Sequence, residues 1–97
     1  MEKLVYLNLL YDYYKELFTA KQQQYFEDYY YNNLSLSEIA ENNNVSRNAV
    51  HNQLKIVENR LNEFENILGI YKTKKQVLKL LKDKVDKDLL EKIDQLM

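Results

Sequence analysis

Apolar residues recur along the chain at intervals of three and four, and the polar residues between them fall into caps and turns. Leu4, Leu7, Leu10, Tyr11, Tyr14, Leu17 and Phe18 keep this spacing, which predicts a helix over about residues 3–17 with one buried face. Thr19 followed by Gln22 forms a capping box, so a second helix runs to about residue 31 with Tyr25, Phe26, Tyr29 and Tyr30 inward. Asn32 and Asn33 end it. Ser35 with Glu38 is a second capping box and opens a short third helix that turns Ile39 and Ala40 inward. Asn42, Asn43 and Asn44 stop that helix, and Val45 is expected to plug the corner. Ser46 then caps a fourth helix, whose buried stripe begins with Ala49, Val50 and Leu54.

Residues 35–55 therefore have the form of a helix-turn-helix, in which the second helix is normally the one that reads DNA. Around the buried Val50 and Leu54, the start of that helix leaves Arg47, Asn48, His51, Asn52 and Lys55 outward. Positions 47, 51 and 55 make one row and 48 and 52 the next. Arg pairs bidentately with guanine and Asn with adenine, while Ser46 and the first helical amides suit a phosphate. These six residues are the candidate nucleic-acid-binding site.

No stop follows until Gly69, so the fourth helix spans about 23 residues, or roughly 35 Å. Val50, Leu54, Val57, Leu61, Phe64 and Leu68 alternate spacings of four and three, a heptad-like stripe. Beyond Leu54 something must cover it: the first helix, the C-terminal tail or a second copy of the chain. A homodimer through Val57, Leu61, Phe64 and Leu68 is the expectation. Gly69, the only glycine, suits a helix C-cap. Thr73 with Gln76 reads as a third capping box opening a fifth helix at about residue 74. Asp86 offers a further cap, with Val85 and Leu90 as the staple, and leaves 74–96 open between one helix and two.

The run E-I-A-E-N-N-N-V-S-R-N-A-V over residues 38–50 resembles the helix-turn-helix of sigma-factor region 4. The preceding L-L-Y-D-Y-Y-K-E-L-F-T-A-K-Q-Q-Q-Y-F-E-D-Y-Y and the following L-K-I-V-E-N-R-L-N-E-F-E-N-I-L-G-I-Y resemble one small bacterial family, the YlxM/p13-like helix-turn-helix proteins (UPF0122), over about residues 4–72. The resemblance implies an all-α fold without a wing. It comprises a helix-turn-helix domain over 1–72, with a long fourth helix, and a charged helical tail over 73–97. Genes of that family tend to neighbour those of the signal recognition particle pathway, which implies a regulatory or accessory role there. Asn43 departs from the family pattern, which has a large apolar side chain before the turn residue. Asn44 stands where many such motifs have Gly, and Asn is the next-best residue for a left-handed backbone.

Composition narrows the picture. Ninety-seven residues, 45% hydrophobic, suit one domain with a small core. The absence of Pro and the single Gly favour helices over tightly turned sheets, and the absence of Cys removes disulfide and thiol chemistry. No apolar run reaches the roughly 20 residues of a membrane span. The N-terminal stretch lacks a small-residue cleavage site, so a cytoplasmic protein with no membrane partner is expected. The net charge of −1 argues against strong nonspecific nucleic-acid binding. Residues 1–36 and 37–71 each carry net −2, and residues 72–97, with eight Lys and five acids, carry +3. The basic end is thus the tail and not the reader. Interleaved acids make the tail's Lys run a solvated surface in preference to an anion-binding one. The tyrosines likewise read as core with wet hydroxyls in preference to a base-stacking platform.

His51 is the only histidine and, with no Cys, it has no partners for a metal site. No phosphate loop, paired carboxylates or nucleophile elbow accompanies it. The expectation is a non-enzyme with no catalytic residues, no cofactor, no metal and no small-molecule substrate. Two readings of function follow. One is a nucleic-acid-binding regulatory protein connected with the signal recognition particle pathway. The other is an accessory protein that does not bind DNA and docks on the particle's RNA or protein through its helical surface.

Overall fold

The computed structural model describes residues 2–97, and among these it contains six α-helices, one 3-10 turn and no strand. Helix α1 spans Lys3–Tyr14 and passes through a 3-10 turn, Lys15–Leu17, into the loop before α2, Ala20–Tyr30. Helices α3, Leu36–Asn42, and α4, Arg47–Leu68, form the helix-turn-helix, followed by α5, Ile70–Leu81, and α6, Lys87–Leu96. The molecule measures 53 × 25 × 23 Å.

The N-caps anticipated at Thr19, Ser35, Ser46 and Asp86 are formed. Thr19 Oγ1 accepts the Gln22 amide at 3.1 Å while Gln22 Oε1 accepts the Thr19 amide, also at 3.1 Å. Ser35 and Glu38 make the same reciprocal pair at 3.1 and 3.0 Å. Each box satisfies two amides that the first helical turn otherwise leaves unpaired. The Glu38 carboxyl is held below its ordinary range by the hydrogen bond from the Ser35 amide. Asp86 caps α6 through the Leu89 amide at 2.7 Å, so the tail is two helices, separated at Asp83, whose φ is 66°.

The core lies where α1 and α2 pack onto α4. Leu7, Leu10, Tyr11, Tyr14, Phe26, Ile39, Val50, Val57 and Leu61 are almost wholly buried there. Helix α1 thus supplies the cover that the long stripe of α4 requires. Val57 and Leu61 are both 0% exposed inside one copy of the chain, and Phe64 packs between Tyr14 and Phe18 at ring separations of 5.8 and 5.7 Å. The expected dimer interface is corrected accordingly: Val57 and Leu61 are core, Phe64 is partly buried, and only Leu68 is exposed. A heptad-like spacing looks the same whether the partner helix belongs to another chain or to the same one. Leu4 and Leu17, placed on the buried face by spacing, are 47% and 58% exposed: Leu4 lies in the first turn of α1, and Leu17 lies in the 3-10 turn, where the α-helical spacing no longer holds.

The largest departure is the start of α5. Thr73 and Gln76 do not cap it; both lie inside a helix that begins at Ile70, immediately after Gly69 at φ 59°. The cap comes from the preceding helix. Glu65, 8% exposed, places Oε1 at 3.2 Å from the Tyr71 amide and Oε2 at 2.9 Å from the Lys72 amide. Its Oε1 also accepts the Tyr14 hydroxyl at 2.7 Å, and that hydroxyl oxygen accepts the Ile70 amide at 3.2 Å. One carboxylate therefore satisfies the amides of a helix N-terminus, where negative charge is favoured, and joins α1, α4 and α5.

Three core tyrosines donate to carboxylates: Tyr11 to Glu27 at 2.6 Å, Tyr14 to Glu65, and Tyr30 to Glu58 at 2.8 Å. Burial, reinforced by these acceptors, raises all three phenols above their ordinary value of 10.0, Tyr14 to about 12. The folded chain therefore holds these protons more tightly than the unfolded chain. Stability is complete below pH 10 and falls above it, by up to about 1.4 kcal/mol per pH unit for each phenol. Unfolding in urea at pH 9 and pH 11 is expected to show a clearly lower midpoint at pH 11. An unchanged midpoint would mean that these hydroxyls are not buried.

Candidate nucleic-acid interface

The corner between α3 and α4 is built from backbone and amide groups. Asn44 adopts φ 54°, the left-handed conformation for which Asn ranks next after Gly. The Val45 amide returns to the Ala40 carbonyl at 3.1 Å and the Asn44 amide to the Glu41 carbonyl at 3.3 Å. Val45 itself is 40% exposed and does not plug the corner; that expectation is corrected. Asn43 does the closing. Its Nδ2 donates to the Ile39 carbonyl at 2.7 Å, and its Oδ1 accepts from Lys21 Nζ of α2 at 3.0 Å. A polar side chain thus closes the corner, using hydrogen bonds instead of apolar contact area. Behind the turn, Ile39, Ala40, Val50 and Leu54 set the crossing of the two helices.

Ser46 Oγ accepts the Ala49 amide at 3.0 Å, which fixes the start of α4 and leaves the hydroxyl proton free to donate. Ser46, Arg47, Asn48, His51, Asn52 and Lys55 are all exposed. Their side chains lie along one side of α4, next to the stripe of buried Val50, Leu54 and Val57. Among the described residues, Arg47, Asn48, His51 and Asn52 make no side-chain hydrogen bond or ion pair within the chain. Lys55 is less free, because Glu58 Oε1 lies 4.0 Å from its Nζ and 3.8 Å from Lys3 Nζ. The face thus offers planar amides, one guanidinium and one hydroxyl, with an acid at its far edge.

Two residues near this face were not evident from spacing. Lys21, in the first turn of α2, is brought to the corner by its bond to Asn43 and adds a cation beside the start of α4. Glu58 is anchored by the Tyr30 hydroxyl. Both connections span more than 20 residues of sequence, and no local rule reports them. Among the described residues, no group of three or more His, Asp or Glu is placed to hold a metal ion, and no helix is long and apolar enough to cross a membrane.

The folding unit and its exposed second helix define an all-α helix-turn-helix protein. Comparison with known proteins gives the family. The whole chain, residues 1–97, matches the family described as "Putative helix-turn-helix protein, YlxM / p13 like", and the chain belongs to it. It is 45% identical over 95 residues to a UPF0122 protein of Malacoplasma penetrans (strain HF-2), covering 93% of this chain and 89% of the relative. Similar relatives come from Halalkalibacterium halodurans, 37% identical over 107 residues with 99% and 98% covered, and Fusobacterium nucleatum, 41% over 96 residues with 96% and 93% covered. The family's description rests on its helix-turn-helix.

Proposed function

We propose that this chain is a nucleic-acid-binding regulatory protein that contacts its target through Ser46, Arg47, Asn48, His51, Asn52 and Lys55 at the start of α4, and that it acts in connection with the signal recognition particle pathway. The observation that carries the binding reading is the uncovered, internally unpaired set of Arg47, Asn48, His51 and Asn52, held on a helix whose start is fixed by Ser46. The pathway link rests on the family resemblance alone. In this reading residues 1–72 carry the reader, and residues 73–97, which hold the rest of α5 and all of α6, are a charged helical tail.

Arg47 supplies the bidentate contact and Asn48 or Asn52 the adenine-type contact, while Ser46 and the first amides of α4 position a phosphate. Loss of Arg47 should therefore cost specificity. Arg47→Ala is expected to weaken a site selected from random duplexes by about 1–3 kcal/mol while leaving the fold intact. Equal affinity of the variant and the parent for that site would remove Arg47 from the reader.

Charge distribution favours a second reading. The body of the chain is net −4 over residues 1–71 against +3 in the tail, and Glu58 offsets Lys55 at the edge of the face. An accessory protein docking on the particle's RNA or protein would use the same surface with fewer phosphate contacts than duplex binding requires.

A further inference from the structure

Beside the reader face α2, α4 and the start of α3 surround a hollow of about 230 Å³, lined by Tyr29, Tyr30, Leu36, His51, Leu54, Lys55 and Glu58. Two of its lining residues, His51 and Lys55, belong to the reader row itself. The hollow is smaller than the roughly 300–1,000 Å³ usual for a small-molecule site, so it suits one planar group attached to something larger outside.

Its walls are matched to such a group. Tyr30 is fixed: its hydroxyl donates to Glu58 Oε2, its ring lies 4.5 Å from that of Phe26, and the ring of Tyr29 stands at 90° to it at 5.0 Å. Tyr29, by contrast, is 37% exposed, and among the described residues its hydroxyl has no partner. A second hollow, of about 380 Å³, lined by Leu4, Tyr29, Tyr30, Asn33 and Leu34, flanks the same two rings from the N-terminal end of α1. Tyr29 is therefore an aromatic ridge between two recesses, beside an array of polar side chains. Glu58 supplies polarity: its side chain is 12% exposed, and its Oε1 accepts no hydrogen bond among the described residues, with Lys3 and Lys55 at 3.8 and 4.0 Å.

We infer that this hollow is a receiving site for a single unpaired nucleobase, stacked on Tyr29 while its strand follows the Arg47–His51–Lys55 row. The inference rests on the nucleic-acid-binding reading and names its ligand class. A base buried in a duplex must be unstacked to reach the hollow, whereas a bulged or single-stranded base is already available. Stacking on an exposed aromatic ring tolerates any base, and the Glu58 Oε1 acceptor adds a preference for one with an exocyclic amino group, such as cytosine, over uracil, whose N3–H lies between two carbonyl oxygens that a carboxylate repels. Lys55 and Lys3 sit where the adjoining phosphate would draw them away from Glu58, so binding exchanges one anion for another at the same cations.

The test measures binding of the full chain to an RNA hairpin with one unpaired cytosine in its stem. The comparison ligands are the same hairpin with uracil there, the same hairpin with the bulge deleted, and the DNA counterparts of all three. The unpaired cytosine is expected to tighten binding by about tenfold or more over the fully paired stem, the scale of one base–aromatic stack. Uracil should give a smaller gain. Tyr29→Ala should abolish the gain without changing affinity for the paired stem, and Tyr29→Phe should keep it. A gain with RNA and DNA alike, or with RNA alone, supports the site and identifies the strand that supplies the base. Equal affinity for bulged and paired stems, or a Tyr29→Ala loss shared equally by both, overturns the site while leaving duplex binding through α4 standing. Failure of every ligand to bind overturns the site and the broader reading together.

Discussion

Glu65→Ala is expected to lower the unfolding free energy by about 3 kcal/mol and to release the start of α5 from the body of the protein. The alanine leaves the Tyr71 and Lys72 amides and the Tyr14 hydroxyl without the acceptor that joins them, at a site shielded by α1 and α4. Each buried donor left unpaired costs about 1–3 kcal/mol, and some of this is recovered where water reaches the α4–α5 break. Glu65→Gln keeps one acceptor oxygen but loses the negative charge that the N-terminus of α5 favours, so its penalty should be smaller. Urea unfolding gives the magnitude, and hydrogen exchange of the Tyr71 and Lys72 amides gives the location. Unchanged stability with those amides still protected would show that the carboxylate is not their cap.

Leu61→Asp is expected to be more severe, removing more than about 4 kcal/mol, which is most of the stability of a chain this size. Leu61 is 0% exposed within the hydrophobic core, so the new carboxylate must be buried uncharged or the core must open. The variant should lose its helical circular dichroism at 25 °C. The experiment separates two geometries that the sequence pattern does not. If the α4 stripe were an interface between copies, Leu61→Asp would yield folded monomers from a dimeric parent in sedimentation. That outcome would contradict the intramolecular cover described above.

The parts of this molecule that were legible in its sequence are those decided within a few residues. Thr19, Ser35, Ser46 and Asp86 cap helices because a side-chain oxygen reaches an amide three positions away, and that geometry travels with the sequence. Asn44 and Gly69 take left-handed backbones because few other residues tolerate them. The outward set at the start of α4 was legible for a related reason: the buried positions of a short amphipathic helix determine which residues remain exposed. What was not legible depends on distant partners. Thr73 and Gln76 satisfy the capping-box spacing, yet Glu65 supplies the cap from another helix, aided by a tyrosine 51 positions earlier. The stripe through Val57 and Leu61 announced burial without saying against what. Spacing points to Val45 for the role that Asn43 fulfils with Lys21, a contact that only the packing of α2 against the corner creates. The Tyr29 ridge was likewise hidden, because helical spacing groups Tyr29 with Tyr25, Phe26 and Tyr30 and only the packed fold shows which ring remains open.

The central claim is that the uncovered face of α4 binds nucleic acid, and a salt titration of the full chain tests it most directly. The labelled ligands are random-sequence duplex DNA and the signal recognition particle's RNA, the latter with and without its protein. The account predicts binding at low salt that weakens as salt rises, with a shallow logarithmic slope of about −2, as expected if Lys55 and Lys21 each meet a phosphate while Arg47 meets a base. Binding to the particle's RNA or protein but not to duplex would place the chain in its accessory reading. No binding to duplex DNA or to the RNA at low salt would contradict the claim and leave the α4 face without its assigned role.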